Sequence, residues 1–177
     1  MKKDLSIYKN GDIVFRLGDS SVSNAVLVAD ENSPYSHIGI IYKYNDNPVV
    51  IHACPPEINS FNSDNYIKMD SISSFFSTKN AISGALYRYP DEMTANEAAE
   101  EAYRLYALNV PFDYLFDSSD SSELYCSELV EYVYMTLGVS LTNNKRHKVH
   151  IPCVDIDSCI FISDFLIADK LKIVDSF

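Results

Sequence analysis

Two apolar runs separated by a short polar break constrain the fold of this 177-residue chain more than any other feature. The first, Tyr35 to Tyr44, carries Ile38, Ile40, Ile41 and Tyr42, β-branched and aromatic residues that suit a pleated, half-buried surface. Asn45-Asp46-Asn47 then supplies residues that tolerate the backbone angles of a tight turn. Val49-Val50-Ile51-His52-Ala53 returns as the antiparallel neighbour. In such a hairpin the numbers of facing residues add to about 90–93, depending on the turn, so His52 falls opposite or near residues 38–41. His37 becomes its near neighbour.

The rest of the chain alternates extended and helical patterns without an internal repeat or a linker. Gly11 to Gly18 reads as a short strand between glycines. Asp19-Ser20-Ser21 offers caps to a helix with Val22, Ala25, Val26 and Ala29 on one face. Residues 54–69, opened by Pro55-Pro56, read as loop, and residues 70–78 as a short helix. Ala85 to Tyr89 is a strand stopped by Pro90. The clearest helix spans Thr94 to Leu108: Thr94 caps it, Glu97 completes a capping box, and Ala98, Ala102, Leu105 and Leu108 face inward. The stretch from Ile160 to Val174 is apolar helix or strand, and Leu171-Lys172-Ile173-Val174 reads as a final strand. These elements fit a single domain over residues 1–177. The fold class is α+β, a mostly antiparallel sheet packed against helices.

A net charge of −11 argues against a nucleic-acid partner, because phosphate binding needs a basic face. The basic cluster Lys145-Arg146-His147-Lys148 reads as a solvated loop, with His147 and His150 structural or facing solvent. No stretch has the length of a membrane span. Met1-Lys2-Lys3 resembles the charged start of an export signal, but Asp4, Tyr8, Lys9, Asn10 and Asp12 interrupt the apolar run that should follow. The chain as it stands is expected to be soluble and cytoplasmic, or exported if a leader has been removed from it. Cysteines at 54, 126, 153 and 159 do not make a secreted disulfide framework. The string His147-x2-His150-x2-Cys153-x5-Cys159 matches no common zinc spacing, so no metal centre and no cofactor are expected.

Chemistry concentrates at Leu124-Tyr125-Cys126-Ser127-Glu128-Leu129-Val130. Leu129, Val130, Val133, Tyr134 and Leu137 recur at helical spacing and Gly138 follows as a stop, so Cys126 falls in the first turn of a helix. The polar run Asp117 to Glu123 supplies several candidate N-caps. A thiol there feels the positive end of the helix dipole and backbone N–H groups without helical partners, which favour the nucleophilic thiolate. The competing reading is a small buried core residue. A nucleophilic cysteine needs a base, usually histidine, held by a third polar group. His37, beside Gly39 on its strand, and His52 on the adjacent strand suit a base and an orienting partner.

The chain resembles, piece by piece and in order, the permuted papain-like group of the NlpC superfamily, the YaeF/YiiX-type amidase-like proteins. Gly11-Asp12-Ile13-Val14-Phe15 is similar to the opening strand of that group, and Tyr35-Ser36-His37-Ile38-Gly39-Ile40-Ile41 to its histidine strand. Pro111-Phe112-Asp113-Tyr114-Leu115-Phe116 precedes Tyr125-Cys126-Ser127-Glu128-Leu129-Val130, which is similar to its cysteine motif. The resemblance implies a circularly permuted NlpC/papain-like fold with the nucleophile at a helix N-terminus and the histidine ahead of the cysteine in the chain. It implies Cys126 as nucleophile, His37 as general base and His52 as third polar residue, at a position where many relatives carry Glu. Glu57 is a more remote substitute, and Val22 stands where the group often has a polar residue such as Gln.

The implied reaction is attack of Cys126 Sγ on an amide carbonyl, with the Cys126 backbone N–H as first oxyanion donor. Tyr125 and Tyr35 are further oxyanion or cleft candidates, and Tyr114, with Phe112 and Phe116, is a candidate cleft wall. The expected substrate is a peptidoglycan stem peptide or other cell-wall fragment, a small peptide, or an N-acyl amide. Two other functions fit the same fold. One is an acyltransferase or thioesterase-like enzyme acting on lipid or acyl esters, as in lecithin retinol acyltransferase-like relatives. The other is a non-catalytic binding module.

Overall fold

Asn45 and Asp46 both adopt positive φ, +50° and +63°, in the computed structural model, which describes residues 4–31, 33–55, 66–151 and 154–177. Two consecutive left-handed residues make the tight turn whose twist matches a hairpin. It joins β2 (His37–Tyr44) to β3 (Asn47–His52), with Tyr44 facing Asn47, Ile41 facing Val50 and Ile40 facing Ile51. That register lies inside the expected window and carries His52 to the neighbourhood of Gly39. A Cβ on Gly39 would stand 2.6 Å from Val50 Cγ1 and 3.1 Å from His52 Cβ, so only glycine fits between the strands there.

β1 (Ile13–Leu17) pairs with the other side of β2, and β5 (Ser83–Arg88) pairs with β1. β8 (Lys172–Ser176) closes one edge of the sheet against β5. The opposite edge is β4 (Lys68–Ser71), inside the stretch read as loop up to residue 69 and helix from residue 70. It is only four residues long, too short for a periodic signal, and exists because it pairs with β3. The six-stranded sheet runs β4-β3-β2-β1-β5-β8, antiparallel at every pairing.

Period-two alternation gives the sheet two buried faces. Ile13, Phe15, Ile38, Ile40 and Ile51 face α3 (Glu92–Ala107) and α4 (Cys126–Met135), against Ala98, Ala102, Leu105, Leu129 and Val133. Val14, Ile41, Val50 and Leu86 face the other way, against Tyr8 and the short α2 (Ile72–Phe75). α3 begins before Thr94: Asp91 is its cap, accepting from Met93 N–H at 3.1 Å and from Thr94 Oγ1–H at 2.9 Å. Leu108 lies past the helix end and is exposed rather than inward. α1 (Ser21–Ala29), capped by Ser20, lies outside the sheet and contains no fully buried residue. β6 (His147–Ile151) and β7 (Val154–Cys159) form a separate two-stranded hairpin, where a polar loop was expected around His147 and His150. α5 (Ile162–Ile167) then leads to β8. Among the described residues no helix is long and apolar enough to cross a membrane.

Candidate active site

Cys126 is the first residue of α4. The polar run 117–123 does not cap this helix. Tyr125 is the N-cap residue, extended at φ −95° and ψ 176°, and it makes no side-chain cap bond. Glu128 compensates by reaching back to the Tyr125 N–H at 3.4 Å. Ser127 Oγ–H donates to Ile160 O at 2.7 Å and fixes the first turn against the segment before α5.

The backbone N–H groups of Ser127 and of Ile38, the residue after His37, lie near enough to the Cys126 thiol to favour its charged form. The thiol therefore sits at the head of β2, where the helix from one face of the sheet meets the histidine strand. The expected thiolate does not prevail in the resting site. Burial pushes the thiol up to about 11, and the N–H groups of Ser127, Ile38 and Cys126 offset only part of that cost. Desolvation outweighs the helix N-terminus.

His37 opens β2 and faces Arg16 across the β1–β2 pair. Its Nε2 lies 2.8 Å from Nδ1 of His52, the last residue of β3. His52 Nε2 in turn lies 3.1 Å from Asp70 Oδ2 on β4. Both imidazoles are buried, and Phe75 of α2 packs against them with ring centroids 5.7 and 5.2 Å away. Arg16 lies over the same ring at 4.4 Å and donates Nη1–H to Phe75 O at 2.8 Å.

These surroundings drive the two histidines apart. Burial, with Arg16 and His52 close by, holds His37 well below the usual imidazole range. Burial also opposes charge on His52, but its hydrogen bond to Asp70 and the nearby Cys54 thiol win, and its pKa is raised. The same hydrogen bond from His52 lowers Asp70, against a smaller burial cost. Burial disfavours a thiolate at Cys54, yet His52 and Lys68 beside it lower its pKa.

Cys126 also lines a cavity of about 260 Å³. Its walls are apolar: Val22 and Val26 of α1, Phe116, Val149 of β6, Ile156 of β7 and Phe161. Of the tyrosine candidates, Tyr125 lines this cavity, and its hydroxyl oxygen accepts the Ile160 N–H at 2.7 Å. Tyr114 is half exposed along the same cavity, with its ring 5.1 Å from that of Phe112. Tyr35 packs its ring 5.4 Å from Phe15 and does not line the cavity. Val22, where a polar side chain was expected, contributes to the apolar wall.

Asp70 was not identified from sequence. The one available signal was the Lys68-Met69-Asp70-Ser71 alternation ahead of Ile72. His147 is engaged elsewhere, 2.8 Å from Asp164 and stacked on Phe161, and His150 pairs with Asp155. Cys159 is buried, while Cys153 and Glu57 lie outside the described residues.

The family model described as permuted papain-like amidase enzyme, YaeF/YiiX, C92 family, matches residues 7–151. The crystal structure of the metalloprotein yiiX from Escherichia coli O157:H7 superposes with a TM-score of 0.74 at 23% identity, covering 94% of this chain and 96% of that one. No curated protein matches the chain in sequence. The chain belongs to the permuted papain-like amidase family: it is a cysteine-peptidase-type hydrolase of amides, on an α+β fold with the histidine strand ahead of the cysteine helix.

Proposed function

From that membership, we propose that this protein hydrolyses an amide whose acyl side is an apolar chain, with Cys126 as nucleophile, His37 as general base and acid, and His52 as the residue that holds His37. The observation that carries this reading is the double position of Cys126, at the head of the histidine strand and in the wall of an apolar cavity. An acyl chain gains by leaving water for such walls, whereas a charged stem peptide would lose hydration there. A small peptide or N-acyl amide is therefore preferred over a cell-wall fragment.

A thiol pushed up to about 11 is a weak nucleophile until its proton is taken. His37, neutral because its pKa is depressed, accepts that proton as Sγ bonds to the carbonyl carbon. The Cys126 backbone N–H, at the free end of α4, is the natural donor to the developing oxyanion. Collapse breaks the C–N bond, and His37 returns the proton to the leaving amine. Water, deprotonated by His37, then adds to the thioester carbonyl; the C–S bond breaks, the acid leaves, and His37 returns the proton to Sγ.

The test uses N-acyl amides of one amino acid from acetyl to decanoyl, the matching esters, and a stem tetrapeptide. Amine release should rise with chain length, and Cys126→Ala should abolish it. Intact-mass spectrometry should show an acyl adduct on the wild type alone. Preferential cleavage of the tetrapeptide would overturn the substrate class, and faster turnover of the esters would favour an acyl-ester enzyme. Turnover that survives Cys126→Ala would remove the nucleophile.

A further inference from the structure

The hydrogen-bonded series that begins at His37 ends on a carboxylate that no part of the scheme above uses. Asp70 Oδ2 lies 3.1 Å from His52 Nε2, and His52 Nδ1 lies 2.8 Å from His37 Nε2. We propose that Asp70 is a positioning residue which, acting through His52, keeps His37 in the tautomer able to accept the thiol proton, so that His52 becomes the proton-state switch of the site. The proposal rests on the pairing of Cys126 with His37 argued above.

An ionised carboxylate can only accept, so the hydrogen between Asp70 and His52 belongs to His52 Nε2. A neutral imidazole carries one N–H, so His52 Nδ1 is then bare and must accept. The hydrogen of the next link therefore sits on His37 Nε2, which leaves His37 Nδ1 with its lone pair exposed. That is the form in which Nδ1 can take a proton from sulfur.

Adding a proton to His52 reverses the second link. Its Nδ1–H now donates to His37 Nε2, and a neutral His37 must carry its hydrogen on Nδ1. The base is lost although His37 itself has gained no charge. The groups around His52 fit this role. His37 approaches from β2, Lys68 and Asp70 from β4, and Cys54 from the segment after β3. Phe75 covers the rings from α2, and Arg16 of β1 faces His37. Arg16 and Lys68 are cations, so neither can supply the acceptor that Asp70 provides. The raised pKa of His52 and the lowered pKa of Asp70 agree with an ionised carboxylate at that end.

The experiment compares the wild-type chain with Asp70→Asn, whose amide can donate as well as accept and so no longer selects one tautomer. Histidine ¹⁵N NMR reads the protonated nitrogen in each ring. Peptide-resolved mass spectrometry follows alkylation of Cys126 by iodoacetamide across pH. Above the pH at which His52 sheds its second proton, both wild-type rings should show the Nε2–H pattern. In Asp70→Asn the Nδ1–H pattern should appear in both rings, and Cys126 alkylation at that same pH should fall roughly 10–100-fold. The acid limb of the rate profile should move to lower pH, because His52 without its carboxylate is harder to protonate. Asp70→Glu should restore the Nε2–H pattern and part of the rate, which also covers the case of an unfolded Asn variant. Unchanged tautomers in Asp70→Asn would overturn the proposal, as would a slower rate with an unmoved acid limb. If His37→Ala leaves Cys126 alkylation unchanged, the Cys126–His37 reading fails, while the NMR comparison still decides the role of Asp70.

Discussion

Glu128 follows Cys126 by two positions in the first turn of α4, and burial pushes its carboxyl up to about 8. At neutral pH it carries a proton, so no carboxylate charge opposes a thiolate forming beside it. The shift has a stability consequence whose sign is fixed by linkage. Between its ordinary value of 4.5 and about 8, the folded chain holds a proton that the unfolded chain releases. The contribution is greatest below 4.5 and is lost as pH rises toward 8, with a slope of at most about 1.4 kcal/mol per pH unit. Glu128→Gln should therefore gain urea resistance relative to wild type as pH climbs through that window, measured as midpoints at a series of pH values. An unchanged difference across the series would show that Glu128 ionises normally. The same contrast between position and environment explains what was legible in the sequence. Cys126, His37 and His52 each fall on a strong local pattern, so their places could be read. The acidity of Cys126 could not, because it depends on what other segments bury the thiol. Asp70 was hidden for a related reason: its strand is defined by its partner and not by its own periodicity.

The β2–β3 hairpin is the element that brings the two imidazoles together, and Gly39 sets how closely its strands approach. Gly39→Ala would press a methyl group against Val50 and the Cβ of His52. The expected loss is about 1–3 kcal/mol of stability by urea denaturation. Slower alkylation of Cys126 in the folded variant should accompany it, because His52 is displaced from His37. Wild-type stability and rate in this variant would mean that the hairpin has slack at its centre. The hairpin was readable because turn chemistry and alternation agreed. The hairpin of β6 and β7 was not, since its charged residues looked like a solvated loop. There an apolar pair, Val149 facing Ile156, turns one side toward the cavity while Lys148 and Asp157 stay in solvent.

At the scale of the molecule, the N-terminal segment, β1 and β5 are tied by a half-buried ion pair. Arg88 grips both oxygens of Asp12, at 2.6 and 2.7 Å, and donates to Ile7 O at 2.7 Å, while Asp12 is only 1% exposed. Arg88→Ala leaves that carboxylate with the Lys9 N–H at 2.8 Å and should cost about 1–3 kcal/mol, read as a lower urea midpoint. A shift below about 1 kcal/mol would mean that water replaces the guanidinium. The pair lies on the sheet that holds the imidazoles, whereas the cavity takes its walls from α1, the β6–β7 hairpin and the Phe161 segment, all outside that sheet. On the proposed function, substitutions in those walls should change which acyl chain length is accepted without disturbing the register that brings His37, His52 and Asp70 together. Over evolutionary time, a lineage carrying this architecture is free to diversify what it digests while its proton-handling centre stays constant.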